Sequence, residues 1–242
     1  MASIIDERGY NQGFRRTVAQ QIRLQRRAGA IVAEMKGSAL DGPLDDCHLL
    51  EIGCGTGELA HELACLTGAR VTGVDLSAKF IAQAAATYRH PKLNFIVADL
   101  SQSNPVCDSD RYDYIVGNGI LHHLYHHLDS FLPVLARWLK PGGRLIFWEP
   151  NLWNPYVFLI FSVPFLRRAA NLEPDEMAFT RTYISRKLAA AGFHDIQVDT
   201  RDFLLPNTPS RLIDPAIALS RSLEGIPLVR HWAQSVFLRA KR

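Results

Sequence analysis

The sequence lacks a strong excess of charge of either sign. Its 242 residues include 27 Lys and Arg against 24 Asp and Glu, which leaves a formal net charge of +3. So small an excess does not indicate nucleic-acid binding, which a strongly basic surface would. A content of 48% hydrophobic and 21% charged residues also excludes disordered and fibrous classes of protein.

Cysteines are few, and their spacing matches no known framework. The four cysteines are Cys47, Cys54, Cys65 and Cys107. They form neither CxxC metal-binding pairs nor the dense pattern of a disulfide-stabilised secreted domain. We therefore expect free thiols.

No long hydrophobic run is present. The most apolar stretch, residues 150–166, contains three prolines and falls short of the roughly 20 residues that a membrane-spanning helix needs. Residues 1–27 lack the apolar core of a secretory signal and include two acidic residues. We therefore expect a cytoplasmic protein.

Short apolar runs alternate with helical patterns through most of the chain. Runs bounded by Gly, Asp or Pro predict five β-strands at 48–52, 70–74, 93–97, 112–116 and 144–148, followed by two more at 195–203 and 235–240. Helical spacing predicts helices at 57–66, 77–88, 126–139, 181–191 and 211–223. This alternation predicts an α/β fold with a doubly wound, mostly parallel sheet and helices on both faces.

The N-terminal part has a different organisation. Residues 10–35 form an amphipathic helical pattern, in which we expect a break near Gly29. Residues 37–46, with Gly42-Pro43, have the composition of a linker. We therefore divide the chain into an N-terminal helical cap and linker, 1–46, and a Rossmann-like domain, 47–242.

A glycine-rich turn follows the first strand. Residues 49–57 read Leu-Leu-Glu-Ile-Gly-Cys-Gly-Thr-Gly, and glycines between a strand and a helix let the backbone approach a ligand closely. The second strand ends at Asp75, whose carboxylate can accept hydrogen bonds from both hydroxyls of a ribose. Asp99, after the third strand, can accept one from an adenine amino group. These features indicate an adenosine-type cofactor.

Two cofactor classes use this arrangement. The spacing here is GxGxG and not the GxGxxG of dinucleotide-binding proteins, and Glu51 would repel a pyrophosphate but attract a cationic amino-acid tail. Tyr88 and Lys92 have the spacing of a dehydrogenase proton relay, but Pro91 interrupts the helix that would align them. The pattern favours S-adenosylmethionine over NAD. An NAD-dependent oxidoreductase and a non-catalytic cofactor-binding protein stay as alternatives.

The chain resembles the class I S-adenosylmethionine-dependent methyltransferases. Five segments are similar to the family's motifs in the family's order: 51–57, 74–77, 98–100, 112–118 and 139–145. The resemblance implies seven strands with the last antiparallel. It also implies that the glycines line the methionine portion, Asp75 holds the ribose, Asp99 and the Leu100 backbone hold adenine, and Asn118 lies beside the transferable methyl. The implied cofactor-binding residues are Glu51, Gly53, Cys54, Gly55, Gly57, Asp75, Leu76, Asp99, Leu100 and Asn118.

Four histidines lie just after the fourth strand, in His122-His123-Leu-Tyr-His126-His127. Class I enzymes bring the acceptor against the methyl donor here, so His122 and His123 are our candidate catalytic residues, as a general base or an acceptor-orienting group. The i, i+4 pairs could each present two imidazoles to a metal, but the sequence offers no third ligand. We therefore expect no metal site, and a solvated or capping role for His126 and His127.

An apolar insert, residues 150–180, follows the fifth strand at the same edge. It could fill the core, wall an apolar acceptor pocket, or contact a membrane surface with Arg167 and Arg168 at the head groups. We expect methyl transfer to an oxygen or nitrogen of a small-molecule acceptor with an apolar or lipid-linked part. We expect no nucleic-acid partner.

Overall fold

A seven-stranded mixed sheet forms the centre of the protein. The computed structural model describes residues 17–38, 42–100 and 112–242. The strands are β1 (His48–Ile52), β2 (Arg70–Asp75), β3 (Leu93–Val97), β4 (Tyr112–Asn118), β5 (Leu139–Pro150), β6 (His194–Arg201) and β7 (Ser235–Lys241). Their order is β3-β2-β1-β4-β5-β7-β6, and β7 runs antiparallel to the other six strands. The predicted fold, with its antiparallel last strand, is confirmed.

Helices cover both faces of this sheet. The helices are α1 (Val18–Gly37), α2 (Glu58–Thr67), α3 (Ala78–Thr87), α4 (Leu128–Trp138), α5 (Pro155–Ser162), α6 (Pro164–Ala169), α7 (Arg181–Ala190) and α8 (Ile213–Glu224). Successive strand residues alternate between the faces: Leu50 packs in the cluster that includes residues of α4 and α7, whereas Leu49 packs with residues of α1 and α2. Because both faces are buried, the central strands read as continuous apolar runs.

The boundary of β5 differs from the prediction. The strand begins at Leu139 and not at Arg144. Leu139 pairs with Tyr112 and Arg144 with Tyr114, so the residues between them bulge out of the ladder. The bulge was left out of the predicted strand because its Pro and Gly residues bounded the apolar run.

The N-terminal helix α1 is continuous through Gly29, so the expected break is wrong. A Cβ at Gly29 would meet nothing within 4 Å, and an isolated glycine costs a helix only about 1 kcal/mol. The helix begins with a capping box, in which the Thr17 hydroxyl accepts the Gln20 N–H at 3.2 Å. Residues 10–16 of the predicted helix lie outside the described residues.

The packing of α1 joins it to the rest of the molecule. Ile31 and Met35 are buried in one cluster with α2 and the sheet, and Ala19 packs on Leu204 and Ile213. The division of the chain at residue 46 stays a prediction.

The insert after β5 folds into two short helices, α5 and α6, with a small core of its own. Val157, Phe161 and Ala178 form that core. No helix among the described residues is both long enough and apolar enough to cross a membrane. Of the four cysteines, Cys47, Cys54 and Cys65 are free thiols, as expected, and Cys107 lies outside the described residues.

Candidate active site

The glycine-rich turn after β1 has a backbone that requires glycine. Gly53, Gly55 and Gly57 have φ values of +63°, +52° and +85°, in the left-handed region that other residues rarely adopt. A Cβ on Gly53 would lie 2.6 Å from the Ile120 side chain, and one on Gly57 would lie 2.6 Å from the Phe95 ring. The turn therefore keeps backbone N–H groups close to the carboxyl ends of the neighbouring strands.

Asp75, at the end of β2, ties this turn to the next helix. Its Oδ2 accepts the Gly55 N–H at 2.8 Å and its Oδ1 accepts the Ser77 N–H at 2.9 Å. Each carboxylate oxygen has a further lone pair, so these bonds leave Asp75 able to accept hydroxyl groups as well. The Ala98 N–H donates to the Asp75 carbonyl at 3.0 Å, which brings the segment carrying Asp99 to the same edge.

Glu51 is a buried carboxylate without a full set of partners. Its side chain is only 2% exposed, and Oε2 has no hydrogen-bond partner among the described residues. Burial, reinforced by the nearby carboxylate of Glu58, raises the pKa of Glu51 well above its ordinary value, although the Ala60 N–H opposes the shift. A buried carboxylate of this kind is suited to a cationic ligand group.

Cys54 lies inside the glycine turn. Burial, together with the carboxylates of Glu51 and Asp75, raises the pKa of the Cys54 thiol far above its ordinary value. The thiol is therefore neutral and does not serve as a nucleophile.

Asn118, at the end of β4, is held by the N-terminal helix. Nη1 of Arg27 donates to Asn118 Oδ1 at 2.6 Å, and Nη2 donates to Ser235 Oγ at 2.6 Å. The guanidinium also lies 5.3 Å from the centre of the Trp148 ring. The sequence showed an arginine-rich helix but carried no signal that linked Arg27 to Asn118.

Arg27 belongs to a cluster of three arginines around one carboxylate. Arg23 Nε and Arg27 Nη2 lie 2.9 and 3.3 Å from Asp202 Oδ2, and Arg26 Nη1 lies 3.8 Å from Oδ1. Burial alone would raise the pKa of Asp202, but Arg27 and Arg23 outweigh it and hold that pKa below its usual value. Burial and the charge of Arg23 lower the pKa of Arg27 to about 10.

Glu149 joins β5 to the turn that follows β4. Its Oε1 accepts the N–H groups of Ile120 and Leu121 at 2.9 and 2.7 Å, and its Oε2 lies 2.9 Å from His122 Nδ1. Because an ionised carboxylate can only accept, we assign the His122 proton to Nδ1, which leaves a lone pair on Nε2. Glu149 lies near the end of β5, at the same edge of the sheet as Asp75. A search for carboxylates at the ends of the predicted strands, which identified Asp75, could therefore have identified Glu149.

His123 is paired with a carboxylate from the insert. Its Nδ1 lies 2.8 Å from Glu176 Oε1. Burial alone would lower the pKa of His123, but Glu176, supported by Glu149 and Glu173, outweighs it and raises the pKa. Burial opposes ionisation of Glu176 too, yet His123 holds the pKa of that carboxyl below its ordinary value.

The histidine segment is not a regular α-helix. Leu121–His127 is a 3₁₀ segment, and Leu124 inside it has non-helical angles. The supposed i, i+4 pairing is therefore wrong, because 3₁₀ geometry has about three residues per turn. Instead His122 and His123 come together, with 4.1 Å between ring centres. His126 and His127 are exposed, as expected.

The insert approaches this histidine segment through its buried face. The Phe161 ring is 8% exposed, and its centre lies 6.1 Å from that of His122 in an edge-on arrangement. Phe158, on the same helix, is 51% exposed. Trp153 and Tyr156, which precede it in the sequence, are 58% and 53% exposed. The insert therefore combines a small core with an exposed apolar surface.

The dehydrogenase pair does not form. Tyr88 lies beyond the last residue of α3 and stacks on His61 with 4.6 Å between ring centres. Lys92 Nζ donates to the Asp45 carbonyl at 2.9 Å. These contacts leave no proton relay between Tyr88 and Lys92.

The geometry fits the cofactor implied by the motifs. The glycine turn, Asp75, Leu76 and the start of the Asp99-Leu100 segment all follow the carboxyl ends of adjacent parallel strands, where α/β folds bind ligands. Glu51 Oε2, which has no hydrogen-bond partner within the described part of the chain, adds a buried acceptor suited to an ammonium group.

Comparison with known proteins agrees with this geometry. Residues 49–143 match a family described as a methyltransferase domain. Over this segment the chain is similar to the class I S-adenosylmethionine-dependent methyltransferases, in agreement with the motifs. The matched segment begins in β1 and ends at the bulge of β5, so it contains the glycine turn, Asp75, Asp99 and Asn118.

Two curated relatives and one solved structure illustrate the similarity. The ubiquinone biosynthesis O-methyltransferase of Pelagibacter ubique is 31% identical over 139 residues, which are 56% of each chain. The trans-aconitate 2-methyltransferase of Streptomyces avermitilis is 36% identical over 115 residues, 45% of this chain and 41% of the relative. The chain thus spans about half the length of the curated relatives it matches.

The solved structure is that of a SAM-dependent methyltransferase from Archaeoglobus fulgidus. It superposes with a TM-score of 0.60 over 90% of this chain and 94% of that chain, at 16% sequence identity. At this identity the likeness concerns the fold.

Proposed function

We propose that this protein transfers the methyl group of S-adenosylmethionine to an oxygen or nitrogen of a small-molecule acceptor. One observation carries the proposal. At the carboxyl edge of the sheet, the left-handed glycine turn lies next to Glu51, a buried carboxylate with one oxygen that no described residue hydrogen-bonds. A pyrophosphate would be repelled there, whereas the ammonium group of a methionine tail would be attracted.

Each part of the cofactor has candidate partners among this chain's residues. We assign the methionine portion to Glu51 and the glycine turn with Cys54, the ribose to Asp75 and Leu76, and the adenine to Asp99 and the Leu100 backbone. Asn118 would lie beside the methyl group, held in place by Arg27. When bound, the cofactor supplies a methyl group on a positively charged sulfur, which an oxygen or nitrogen can attack in line.

The protein's own contribution is positioning and exclusion of water. The acceptor would enter between Asn118 and the histidine segment. His122 and His123 are the candidates for orienting its polar atom or accepting its proton, and Glu149 fixes the ring of His122 through Nδ1. An amine acceptor would need no such base.

We further propose an acceptor with an apolar part. Trp153, Tyr156 and Phe158 of the insert are each more than half exposed, and the same insert contacts His122 through Phe161. Apolar and aromatic side chains are the usual lining of sites for apolar ligands. The relatives' names point to acceptors of varied chemistry, since they include a ubiquinone-biosynthesis enzyme and a trans-aconitate methyltransferase. A cytoplasmic location remains our prediction.

Titration calorimetry tests the cofactor assignment. The purified protein should bind S-adenosylmethionine and its demethylated form and should not bind NADH. Binding of NADH alone would support the oxidoreductase. A chain that binds S-adenosylmethionine yet methylates no member of a panel of phenols, carboxylates and amines would support the non-catalytic alternative.

A further inference from the structure

His122, His123 and Glu176 bring three potential metal ligands together. Each offers one ligand atom, and these atoms lie within 4.8 Å of one another. Ligand atoms around a tetrahedral zinc ion at about 2.0–2.2 Å lie roughly 3.3–3.6 Å apart, so the three atoms would close by roughly 1 Å on binding. The sequence offered no third ligand because Glu176 is about fifty residues away along the chain.

The chemical types of the three ligand groups also suit a transition-metal ion. Two imidazoles and one carboxylate suit zinc and neighbouring divalent transition metals and leave one coordination position open. Magnesium and calcium prefer oxygen ligands throughout. A site with this composition therefore discriminates between the two groups of ions.

Glu149 supplies the outer contact that metal-binding histidines usually have. Its Oε2 lies 2.9 Å from Nδ1 of His122, and the carboxylate is fixed by the Ile120 and Leu121 N–H groups. Metal-ligating histidines commonly donate their other ring N–H to a carboxylate, which directs the free nitrogen at the ion. His122 has this arrangement, with Nε2 available.

Glu176 is a buried carboxylate whose close charged partner is a histidine. Its side chain is 1% exposed, and the described residues give it no ion pair with an arginine or lysine. Although His123 Nδ1 is 2.8 Å away, neither Glu176 oxygen has a hydrogen bond of good geometry within the described part of the chain. A metal ion at this position could take the place of the His123 proton as the partner of this carboxylate.

The backbone around Glu176 is held firmly. Nη2 of Arg167 donates to the carbonyl oxygens of Glu173 and Glu176 at 2.6 and 3.1 Å. The Met177 N–H donates to the His122 carbonyl at 3.2 Å. The insert therefore delivers Glu176 to the two histidines through fixed contacts and not through a loose loop.

We propose that His122, His123 and Glu176 form a binding site for a divalent transition-metal ion, with zinc as the best match. The ion would displace the proton shared by His123 and Glu176, so binding releases a proton to solvent. Its open position would take water or an acceptor oxygen. In the metal-bound form the histidines act as ligands, and the ion takes over activation of a hydroxyl acceptor.

Zinc titration of the metal-free protein tests the proposal without any assay of methyl transfer. The experiment uses Cys65→Ser protein, because Cys65 Sγ lies 3.5 Å from His61 Nε2 on the surface and could bind zinc by itself. We expect one zinc ion per chain by calorimetry, a higher melting temperature with zinc, and no response to magnesium. Cobalt in place of zinc should give the visible absorption of a low-coordinate site.

Matched variants locate the ion. Glu176→Gln and His123→Asn should each lose this zinc and cobalt response, whereas His126→Asn with His127→Asn, two exposed histidines of the same segment, should keep it. His123 is the more exposed ligand, so its variant serves if Glu176→Gln does not fold.

Two results would overturn the site: no zinc binding to the parent protein, or equal zinc binding by the parent and His123→Asn proteins. Titration of the same samples with S-adenosylmethionine separates this outcome from failure of the proposed function, because none of the three proposed zinc ligands is assigned to the cofactor.

Discussion

Nη1 of Arg27 donates a 2.6 Å hydrogen bond to Oδ1 of Asn118, which joins the N-terminal helix to the carboxyl end of β4. The same guanidinium also bonds Asp202, which directly follows β6, and Ser235, the first residue of β7. One side chain therefore connects α1, the central sheet and the C-terminal strands. Its position makes α1 part of the candidate site.

Replacing Arg27 with lysine should impair catalysis more than folding. Lysine keeps the charge, but its single ammonium group cannot bond Asn118, Asp202 and Ser235 at once as the guanidinium fork does. We expect kcat to fall about tenfold, equivalent to about 1.4 kcal/mol, with little change in cofactor affinity. Arg26→Lys is the control, since Arg26 is more exposed and lies 3.8 Å from Asp202. Equal kcat values for both variants would contradict the positioning role.

Asp75→Asn should weaken cofactor binding. The carboxylate accepts the Gly55 and Ser77 N–H groups through different oxygens, and an amide offers only one acceptor oxygen. We expect a loss of about 1–3 kcal/mol in the free energy of S-adenosylmethionine binding, measured by calorimetry. Asp129→Asn removes an exposed carboxylate elsewhere and should leave binding unchanged. Unaltered affinity in Asp75→Asn would rule out its assignment to the ribose.

Local sequence was sufficient for most of the fold. β1 and β3 match their predicted bounds because each is a short apolar run between strong turn residues, and Asp75 and Asn118 are recognisable because they end strands at one edge. The start of β5 was missed because a bulge containing glycine still pairs with β4 at Leu139.

Long-range partners could not be predicted in the same way. Arg27 meets Asp202 across 175 positions, and His122 meets Glu149 across 27. No local sequence pattern predicts either of these pairs, because tertiary packing alone brings the two residues of each pair together. Asp202 also adopts a φ of +75°, which no sequence rule predicts for an aspartate in a particular loop.

Glu51→Gln should stabilise the free protein while weakening the cofactor complex. Burial raises the pKa of Glu51, so the stability that this group contributes is lost as pH rises through its folded-state pKa. The glutamine variant lacks this loss. Its melting temperature should therefore exceed the parent's by more at pH 8 than at pH 5.

The same substitution removes the negative charge offered to the methionine ammonium group. We expect S-adenosylmethionine affinity to fall by about 1.5–3 kcal/mol, the range for a hydrogen bond to a charged group. A variant that is less stable than the parent at pH 8, or that binds the cofactor equally well, would contradict the assigned role of Glu51.

Asp202→Asn should lower the free energy of unfolding at neutral pH and make it fall less as the pH is lowered. Arg27 and Arg23 hold the pKa of Asp202 below its unfolded value of about 3.9, so its contribution is present above that value and is lost as pH falls through the folded-state pKa. Removing the partner of a buried ion cluster costs about 3–5 kcal/mol. Urea unfolding between pH 7 and pH 3 should show a smaller loss with acid in the variant. Asp214→Asn, an exposed control, should follow the parent.

Phe158→Ala and Phe161→Ala distinguish a pocket wall from a core. Phe161 is buried with Val157 and Ala178, so its truncation should cost about 3 kcal/mol of unfolding free energy. Phe158 is 51% exposed, and its truncation should change stability by no more than about 0.5 kcal/mol.

If the exposed surface of the insert contacts the acceptor, Phe158→Ala should raise the KM of an apolar acceptor while S-adenosylmethionine affinity stays constant. Leu219→Ala, at an exposed leucine of α8, is the matched control and should leave both values unchanged. A wild-type KM in Phe158→Ala, combined with early melting of Phe161→Ala, would mean that this part of the insert is a packing element and that the acceptor lies elsewhere along the sheet edge.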